Sequence, residues 1–438
     1  MTKKAAFYTL GCKVNFCDTE SLQALFAQAG YDISSFNDDA DIYVINTCTV
    51  THQSDHKSRK AIRQTRRRAP HAVIVVTGCY AQRYPEELQK MKEINLVVGT
   101  TERQNLPEIA GKLLFDDRQE LVKRYNTEEN SFDALPLPAT GKRTRGFLKI
   151  QDGCNEGCTY CIVPSVRGPI RSLSPPEVIN RAENLISSGC REIVLTGIHL
   201  GLYGQDLLNC SLASLLGELN TLPGLIRLRL SSLEPTDITS ELVEQVTSAN
   251  TICPHLHIPL QSGDGEILKK MKRLYAPVEY LYLAKWLKQQ IPDLSLSSDV
   301  IVGFPGETAK HHARSMALVR DIGFSSLHVF KYSPRPGTAA STFPGQVNGE
   351  VKNERSKEMI ALGREMSEQY RKGFIGSIQP LLVEKVDEYS YVEGFTPHYL
   401  RVRAAIRDKG DRYRGAEIKV KLRSIRHELM MAIPLDES

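Results

Sequence analysis

Four short apolar runs punctuate roughly the first 110 residues: AAFYTL (5–10), DIYVIN (41–46), AVIVVTG (72–78) and NLVVG (95–99). The stretches between them have helical spacing. They are DTESLQALFAQAG, opening on Asp18 as an N-cap, a polar and basic segment from about Ser54 to Arg68, and PEELQKM. Strand then helix, repeated, predicts a parallel sheet with helices on both faces. Periodicity then weakens from about Asp116 to Thr144, where NTEENSFDALPLPATGKR collects the prolines, glycine and polar residues of a domain boundary.

A second alternating series with a wider repeat follows. Its candidate strands are GFLKIQ (146–151), EIVLTG (192–197), IRLRLSS (226–232), HLHIPL (255–260), SLSSDVIVG (295–303) and SSLHVFKYS (325–333). Helical segments such as PPEVINRAENLISSG and PVEYLYLAKWLKQQ separate them, so six βα units predict an incomplete (β/α) barrel. Active sites in that architecture sit at the carboxyl ends of the strands. A helix around Glu350 to Lys372 leads out of this series. QPLLVEKV, SYVEGF, YLRVRAAI, EIKVKLRSI and ELMMAIP then read as five short strands of a small β-barrel of the oligonucleotide-binding sort. The expected fold class is therefore α/β in three domains. Residues 1–115 form a parallel-sheet domain, 140–370 a partial (β/α)6 barrel and 373–437 a small β-barrel.

Composition narrows the function. A chain of 438 residues holds two to four domains and needs no stapling. With 41% hydrophobic and 24% charged residues, and no apolar run near the roughly 18 residues that span a bilayer, no membrane partner is expected. The amino terminus reaches Gly11, Cys12 and Lys13 before a signal-peptide core could form, which places the protein in the cytoplasm. A reducing compartment disfavours disulfides, so the ten cysteines point to metal, cluster or catalysis.

Six of those cysteines form two sets of three. Cys154, Cys158 and Cys161 stand as CNEGCTYC directly after the first strand of the second series. Thiolates so spaced reach three corners of one cubane cluster and leave the fourth iron open. The competing reading, a zinc site short of one ligand, lacks the second CxxC pair that zinc motifs use. Cys12, Cys48 and Cys79 are far apart, yet each ends a predicted strand: FYTLGC, YVINTC and IVVTGC. Parallel strands put their carboxyl ends on one edge, so these three can converge. Gly11 and Gly78 would let the backbone turn sharply there. A single free cysteine is ordinarily a small buried apolar residue, and that reading holds for Cys17, Cys190, Cys210 and Cys253.

Charge is a matter of location, because the net is only +5. HKSRKAIRQTRRRAP (56–70) sets Arg59, Arg63, Arg66 and Arg67 near one helical face, either a solvated face or a phosphate-neutralising one. Arg401, Arg403, Lys419, Lys421 and Arg423 repeat the theme on the carboxyl-terminal strands.

With LGCKVN around Cys12, NTCTVT around Cys48, TGCYAQ around Cys79 and GCNEGCTYCIVPSVRG, the chain resembles, over essentially its whole length, the radical S-adenosylmethionine (SAM) methylthiotransferases. The LGCKVN form resembles the branch acting on N6-threonylcarbamoyladenosine at position 37 of tRNA. Other branches act on isopentenyladenosine in tRNA or on a ribosomal-protein aspartate. The resemblance implies two 4Fe-4S clusters and two SAM per turnover. Cys154, Cys158 and Cys161, with Tyr160 among them, would hold the cluster that reduces SAM. Cys12, Cys48 and Cys79 would hold an auxiliary cluster carrying the sulfur. It further implies SAM contacts from Thr196 and Gly197 in TGIHLG, from Ser232 and Glu234 in SSLEP, from Gln261, and from Val302 and Gly303. TGIHLG departs from the glycine-glycine-glutamate form seen elsewhere in the superfamily. A hydrogen would be abstracted from adenine C2, a bond no acid or base in water ionises at useful rates. The carboxyl-terminal barrel would be an RNA-binding TRAM domain, and a small electron donor such as a flavodoxin or ferredoxin would be a partner beside tRNA. The reading outside enzymology is an iron–sulfur RNA-binding redox regulator.

Overall fold

The computed structural model describes residues 2–101, 103–115, 132, 135, 136, 144–406 and 411–435. The boundary expected from Asp116 to Thr144 lies almost wholly outside the described residues. The chain divides into two compact units. The first comprises Met1–Ala139, Gln151–Leu173 and Ser333–Ser341, and the second Thr140–Ile150, Ser174–Tyr332 and Thr342–Ser438.

The first unit is built on a parallel sheet of β1 (Lys4–Thr9), β2 (Asp32–Ser34), β3 (Ile42–Thr47), β4 (Val73–Gly78) and β5 (Leu96–Val97), in the order β2-β1-β3-β4-β5. Every residue of β3 and β4 is buried, because helices cover both faces; hence the runs are continuously apolar rather than alternating. Phe7, Leu22, Phe26, Val44 and Val75 form the core on one face, and Ile45, Ile62, Ile74, Val76 and Tyr80 on the other. β2, a three-residue edge strand reading Asp-Ile-Ser, carries no apolar run and was not expected. α1 (Lys13–Gln28) has Cys12 at its N-cap position, six residues before Asp18. Asp18 is not its cap: its buried carboxylate takes buried arginines instead of backbone N–H groups. α2 (His52–Arg68) is capped by Thr51, whose hydroxyl accepts from the Ser54 amide.

In the second unit β6 (Arg145–Lys149), β7 (Glu192–Thr196) and β8 (Arg227–Leu230) pair in parallel, as do β9 (His255–His257), β10 (Ser295–Val302) and β11 (Ser326–Lys331). Parallel bridges from Leu228 to Ile252, in the segment leading into β9, and from Ser232 to His257 link the end of the first sheet to the second. Six parallel strands in sequence order are the expected partial (β/α)6 barrel. The carboxyl-terminal barrel is closed from β12 (Ile378–Val386), β13 (Tyr391–Phe395), β14 (Arg401–Ala405), β15 (Glu417–Arg426) and β16 (Leu429–Pro434), in the order β12-β13-β14-β16-β15. Leu381, Val383, Val402, Leu422 and Met430 fill it.

The amino-terminal foot of the half-barrel is polar. Glu192 of β7 is buried against Arg229 at 2.8 Å, with Arg145 at 3.9 Å and Arg227 at 3.8 Å. The same arginines reach the small barrel: Arg227 donates to the Phe395 carbonyl at 2.6 Å and Arg229 to that of Pro397 at 2.9 Å. Burial pushes the Glu192 carboxyl up, but the three arginines more than reverse this, so it lies below its ordinary value. A depressed carboxyl contributes stability above its unfolded value of about 4.3 and loses it as pH falls through the folded value. Glu192→Gln should therefore cost about 3–5 kcal/mol at pH 7 by leaving buried guanidinium charge unpaired. Urea unfolding should also show the wild-type advantage shrinking below pH 4.

Candidate metal centre

In the first unit the sheet order reverses between β1 and β3, the crevice where open α/β sheets bind ligands. Cys12 and Cys48 flank that point. Cys12 follows Gly11 (φ +115°), where an added Cβ would lie 3.0 Å from Cys48 Cβ and 2.8 Å from Asn15 Nδ2. Cys48 directly follows β3, and Cys79 directly follows β4 as the first residue of α3 (Cys79–Arg83). Before it, Gly78 (φ +92°) leaves no room for a side chain, because a Cβ would fall 2.6 Å from the Thr47 carbonyl oxygen. The edge is cross-braced. Asn15 Nδ2 donates to the carbonyls of Leu10 at 2.7 Å and Thr47 at 3.0 Å, and Thr47 Oγ1 donates to the Thr77 carbonyl at 2.6 Å.

Cys12 is exposed, whereas Cys48 and Cys79 are buried, and burial dominates their chemistry. It raises Cys48, and it pushes Cys79 up to about 12; Arg167 opposes both shifts, while Cys12 adds to both. Arg167 is buried, with Nη1 3.0 Å from Asp18 and 3.1 Å from Asp152, and Nη2 donates to Asn15 Oδ1 at 2.6 Å. Arg103 adds a second buried cation 3.2 Å from Asp18. Arg167 Nε is buried with no hydrogen-bond partner among the described residues. Three thiols on one edge, a fixed cation and a spare buried donor fit a sulfur-rich anionic guest such as an iron–sulfur cluster.

Arg167 comes from the segment that carries the other thiols. Gln151–Asp152 pairs antiparallel with Arg171–Ser172, forming the base of the CNEGCTYC loop. At Gly153 (φ +75°) a Cβ would meet the Pro169 carbonyl oxygen at 1.8 Å, so only glycine fits. The Cys154 amide donates to the Gly168 carbonyl at 3.1 Å and the Cys161 amide to that of Cys158 at 3.1 Å. Cys154, Cys158, Tyr160 and Cys161 are half-buried. Ile162, just after Cys161, packs with Val166 against Cys79. The far-separated thiols and the local motif therefore belong to one unit. Of the others, Cys17, Cys190 and Cys253 are buried thiols, Cys253 pushed up to about 12 and Cys190 to about 11 by burial.

The candidate SAM contacts outside that loop lie in the second unit. Thr196 ends β7, with Gly197 following, and its carbonyl accepts the Ile150 amide. Ser232 forms the bridge to His257. Glu234 is ion-paired with Arg273. Gln261 has φ +60° and exchanges backbone hydrogen bonds with β10. Val302 is buried, and the Gly303 amide donates to Glu307 at 3.0 Å. Sequence reasoning missed the buried ion network of Asp18, Arg103, Asp152 and Arg167. It also missed Arg335, which donates to Asp55 and to Thr49, each at 2.7 Å.

Residues 4–99 match the model of Uncharacterized protein family UPF0004, and residues 148–319 that of the Radical SAM superfamily. Among similar proteins, Threonylcarbamoyladenosine tRNA methylthiotransferase MtaB of Bacillus subtilis (strain 168) is 42% identical over 91% of this chain and 89% of its own. The chain belongs to the radical SAM methylthiotransferase family. The family's tRNA-2-methylthio-N(6)-dimethylallyladenosine synthase of Clostridium botulinum (strain Loch Maree / Type A3) is 34% identical, over 86% of this chain and 85% of its own. Among solved structures, the radical SAM methyltransferase TsrM of Kitasatospora setae, with tryptophan and a SAM analogue, shares the fold. It has a TM-score of 0.53 at 14% identity, over 78% of this chain and 75% of its own. The UPF0004 segment 4–99 spans all three strand-end cysteines, and the radical SAM segment 148–319 spans the end of β6, the CNEGCTYC loop and β7 to β10.

Proposed function

We propose that this methylthiotransferase converts N6-threonylcarbamoyladenosine at position 37 of tRNA to its 2-methylthio derivative. What carries the reading is the meeting of two three-thiol sets in one unit, one of them the radical SAM loop. The substrate branch follows the relatives from Bacillus subtilis, Aquifex aeolicus and Thermotoga maritima, all named for threonylcarbamoyladenosine tRNA. Cys154, Cys158 and Cys161 would hold one 4Fe-4S cluster and Cys12, Cys48 and Cys79 a second. A cluster with an open iron supplies SAM binding and the electron that cleaves its sulfonium. Around them the protein excludes water at Cys48 and Cys79, sets charge through Arg167, and would orient SAM from Thr196, Gly197, Ser232, Glu234, Gln261, Val302 and Gly303. A flavodoxin or ferredoxin would deliver electrons in the cytoplasm; no helix among the described residues is long and apolar enough to cross a membrane.

The RNA surface differs from the spacing argument. Arg59 is held by Tyr80 and Glu87, and Arg66 by the carbonyls of Pro70, Ala72 and Glu93. The exposed stripe of α2 is His56, Lys60, Arg63 and Arg67. Periodicity shows which residues share a face, but not which face packs. In the small barrel Arg401 pairs with Glu393 at 2.8 Å and Arg403 with Asp387 at 2.6 Å, while Arg423 stays exposed. Replacing Lys60, Arg63 and Arg67 with alanine should weaken tRNA binding and flatten the salt dependence of log K by about two to three. Nitrocellulose filter binding across a salt series reads both.

The function itself is tested by mass spectrometry of tRNA nucleosides from cells lacking the protein. The 2-methylthio form of threonylcarbamoyladenosine should vanish. Its persistence, with loss of another methylthio product, would move the substrate to isopentenyladenosine or the ribosomal-protein aspartate.

A further inference from the structure

A polar cluster on the inner face of the half-barrel is used by none of the roles above. Leu327 of β11 lies against Gly363 of the helix Gly349–Lys372, and its register partner Ser298, with Leu296, Val300 and Val302, shares that face on β10. Strand alternation therefore turns Ser297, Asp299 and Ile301, with their cross-strand partners Ser326, His328 and Phe330, to the inside. On β9, His257 pairs with Ser297 and faces the same way.

Asp299 Oδ1 lies 3.2 Å from His257 Nε2 and 3.0 Å from His328 Nδ1, and Ser297 Oγ is 3.0 Å from His257 Nδ1. Burial raises the Asp299 carboxyl, but hydrogen bonds from the two imidazoles override it and hold the group well below the usual carboxylate range. An ionised Asp299 only accepts, so His328 Nδ1 carries a proton and the ring is oriented. His328 is 57% exposed, and its Nε2 has no partner among the described residues. Two residues on, Phe330 is 46% exposed with half-buried Ile301 beside it. An open aromatic shelf next to an oriented imidazole suits a flat base with an anionic tail.

We infer that His328, oriented by Asp299 with His257 behind it, binds the carboxylate of the threonylcarbamoyl group while Phe330 and Ile301 take the adenine face. This rests on the substrate proposed above. That carboxylate is ionised at neutral pH, whereas an isopentenyl group offers neither charge nor acceptor, so the contact also discriminates between the two tRNAs. To donate, Nε2 takes up a proton from solvent; the ring then holds Asp299 with Nδ1–H and the carboxylate with Nε2–H, and the Asp299 charge offsets the added positive charge.

The test uses the full-length reconstituted enzyme and anticodon stem-loop RNAs carrying threonylcarbamoyladenosine, its carboxyl methyl ester, or plain adenosine, with affinities from fluorescence anisotropy at fixed salt. The wild type should prefer the free carboxylate over the ester about tenfold, the worth of one charge-assisted hydrogen bond. In His328→Ala the ratio should fall to about one, and Asp299→Asn should lower it. His328→Lys, which restores a cationic donor, should recover part of it. If His328→Ala keeps the full ratio, the inference is wrong. It is equally wrong if the isolated wild type carries one divalent metal per chain, beyond its cluster iron, that His328→Ala lacks. If the wild type does not prefer the modified RNA over plain adenosine, the substrate reading itself fails, and the two failures are thereby told apart.

Discussion

Cys158→Ala protein should form no 5′-deoxyadenosine above background with SAM and dithionite, and no methylthio product. Cys48→Ala should still form 5′-deoxyadenosine while losing the product. The contrast follows from where the thiols stand. Cys158 is half-buried on a loop whose shape is set by the Gly153 turn, the ribbon at its base and the Thr159 carbonyl accepting from the Ala340 amide. Removing its sulfur removes a ligand and leaves those backbone restraints in place. Cys48 is buried at the end of β3, and its loss leaves a cavity of one atom, costing about 1 kcal/mol. The Thr47 and Asn15 hydrogen bonds that brace the edge do not involve its side chain. Each variant should fall from about eight irons per chain to about four, so iron analysis checks the pair before any assay. A Cys48→Ala enzyme that makes full product would remove the strand-end thiols from the reaction.

Legibility differs between elements for physical reasons. β3 and β4, buried on both faces, announce themselves as nearly unbroken apolar runs, whereas half-barrel strands such as RLRL and SLHVFK mix polar and apolar positions and are read from their repeat with the helical segments between them. β2 does not, because an edge strand of Asp-Ile-Ser satisfies its backbone by pairing with β1 and needs no apolar side chains. Asp18 reads as a helix cap from its type and place, yet a partner about 150 positions away decides its role. The strand-end cysteines are visible because a parallel sheet gathers carboxyl ends whatever the sequence separation. His257, Asp299 and His328 share no spacing that would suggest a cluster; register alone brings them together.

Arg167 brings the largest expected effect outside the thiols. Arg167→Met should lower stability by about 3–5 kcal/mol, because it withdraws the buried guanidinium paired with the Asp152 and Asp18 carboxylates. Arg103 remains beside Asp18 and keeps the loss from being larger. The same substitution withdraws the cation that opposes the burial shift of Cys48 and Cys79, so thiolate ligands form less readily. Iron should then be lost first from the strand-end set. Arg167→Lys keeps the charge but not the planar fork that serves Asp18, Asp152 and Asn15 together, and it should fall between the two. Thermal unfolding and iron content separate the effects. A methionine variant with wild-type stability would show that Asp18 and Asp152 are satisfied without Arg167. One destabilised but fully loaded with iron would show that the guanidinium braces the fold without contributing to the sulfur site.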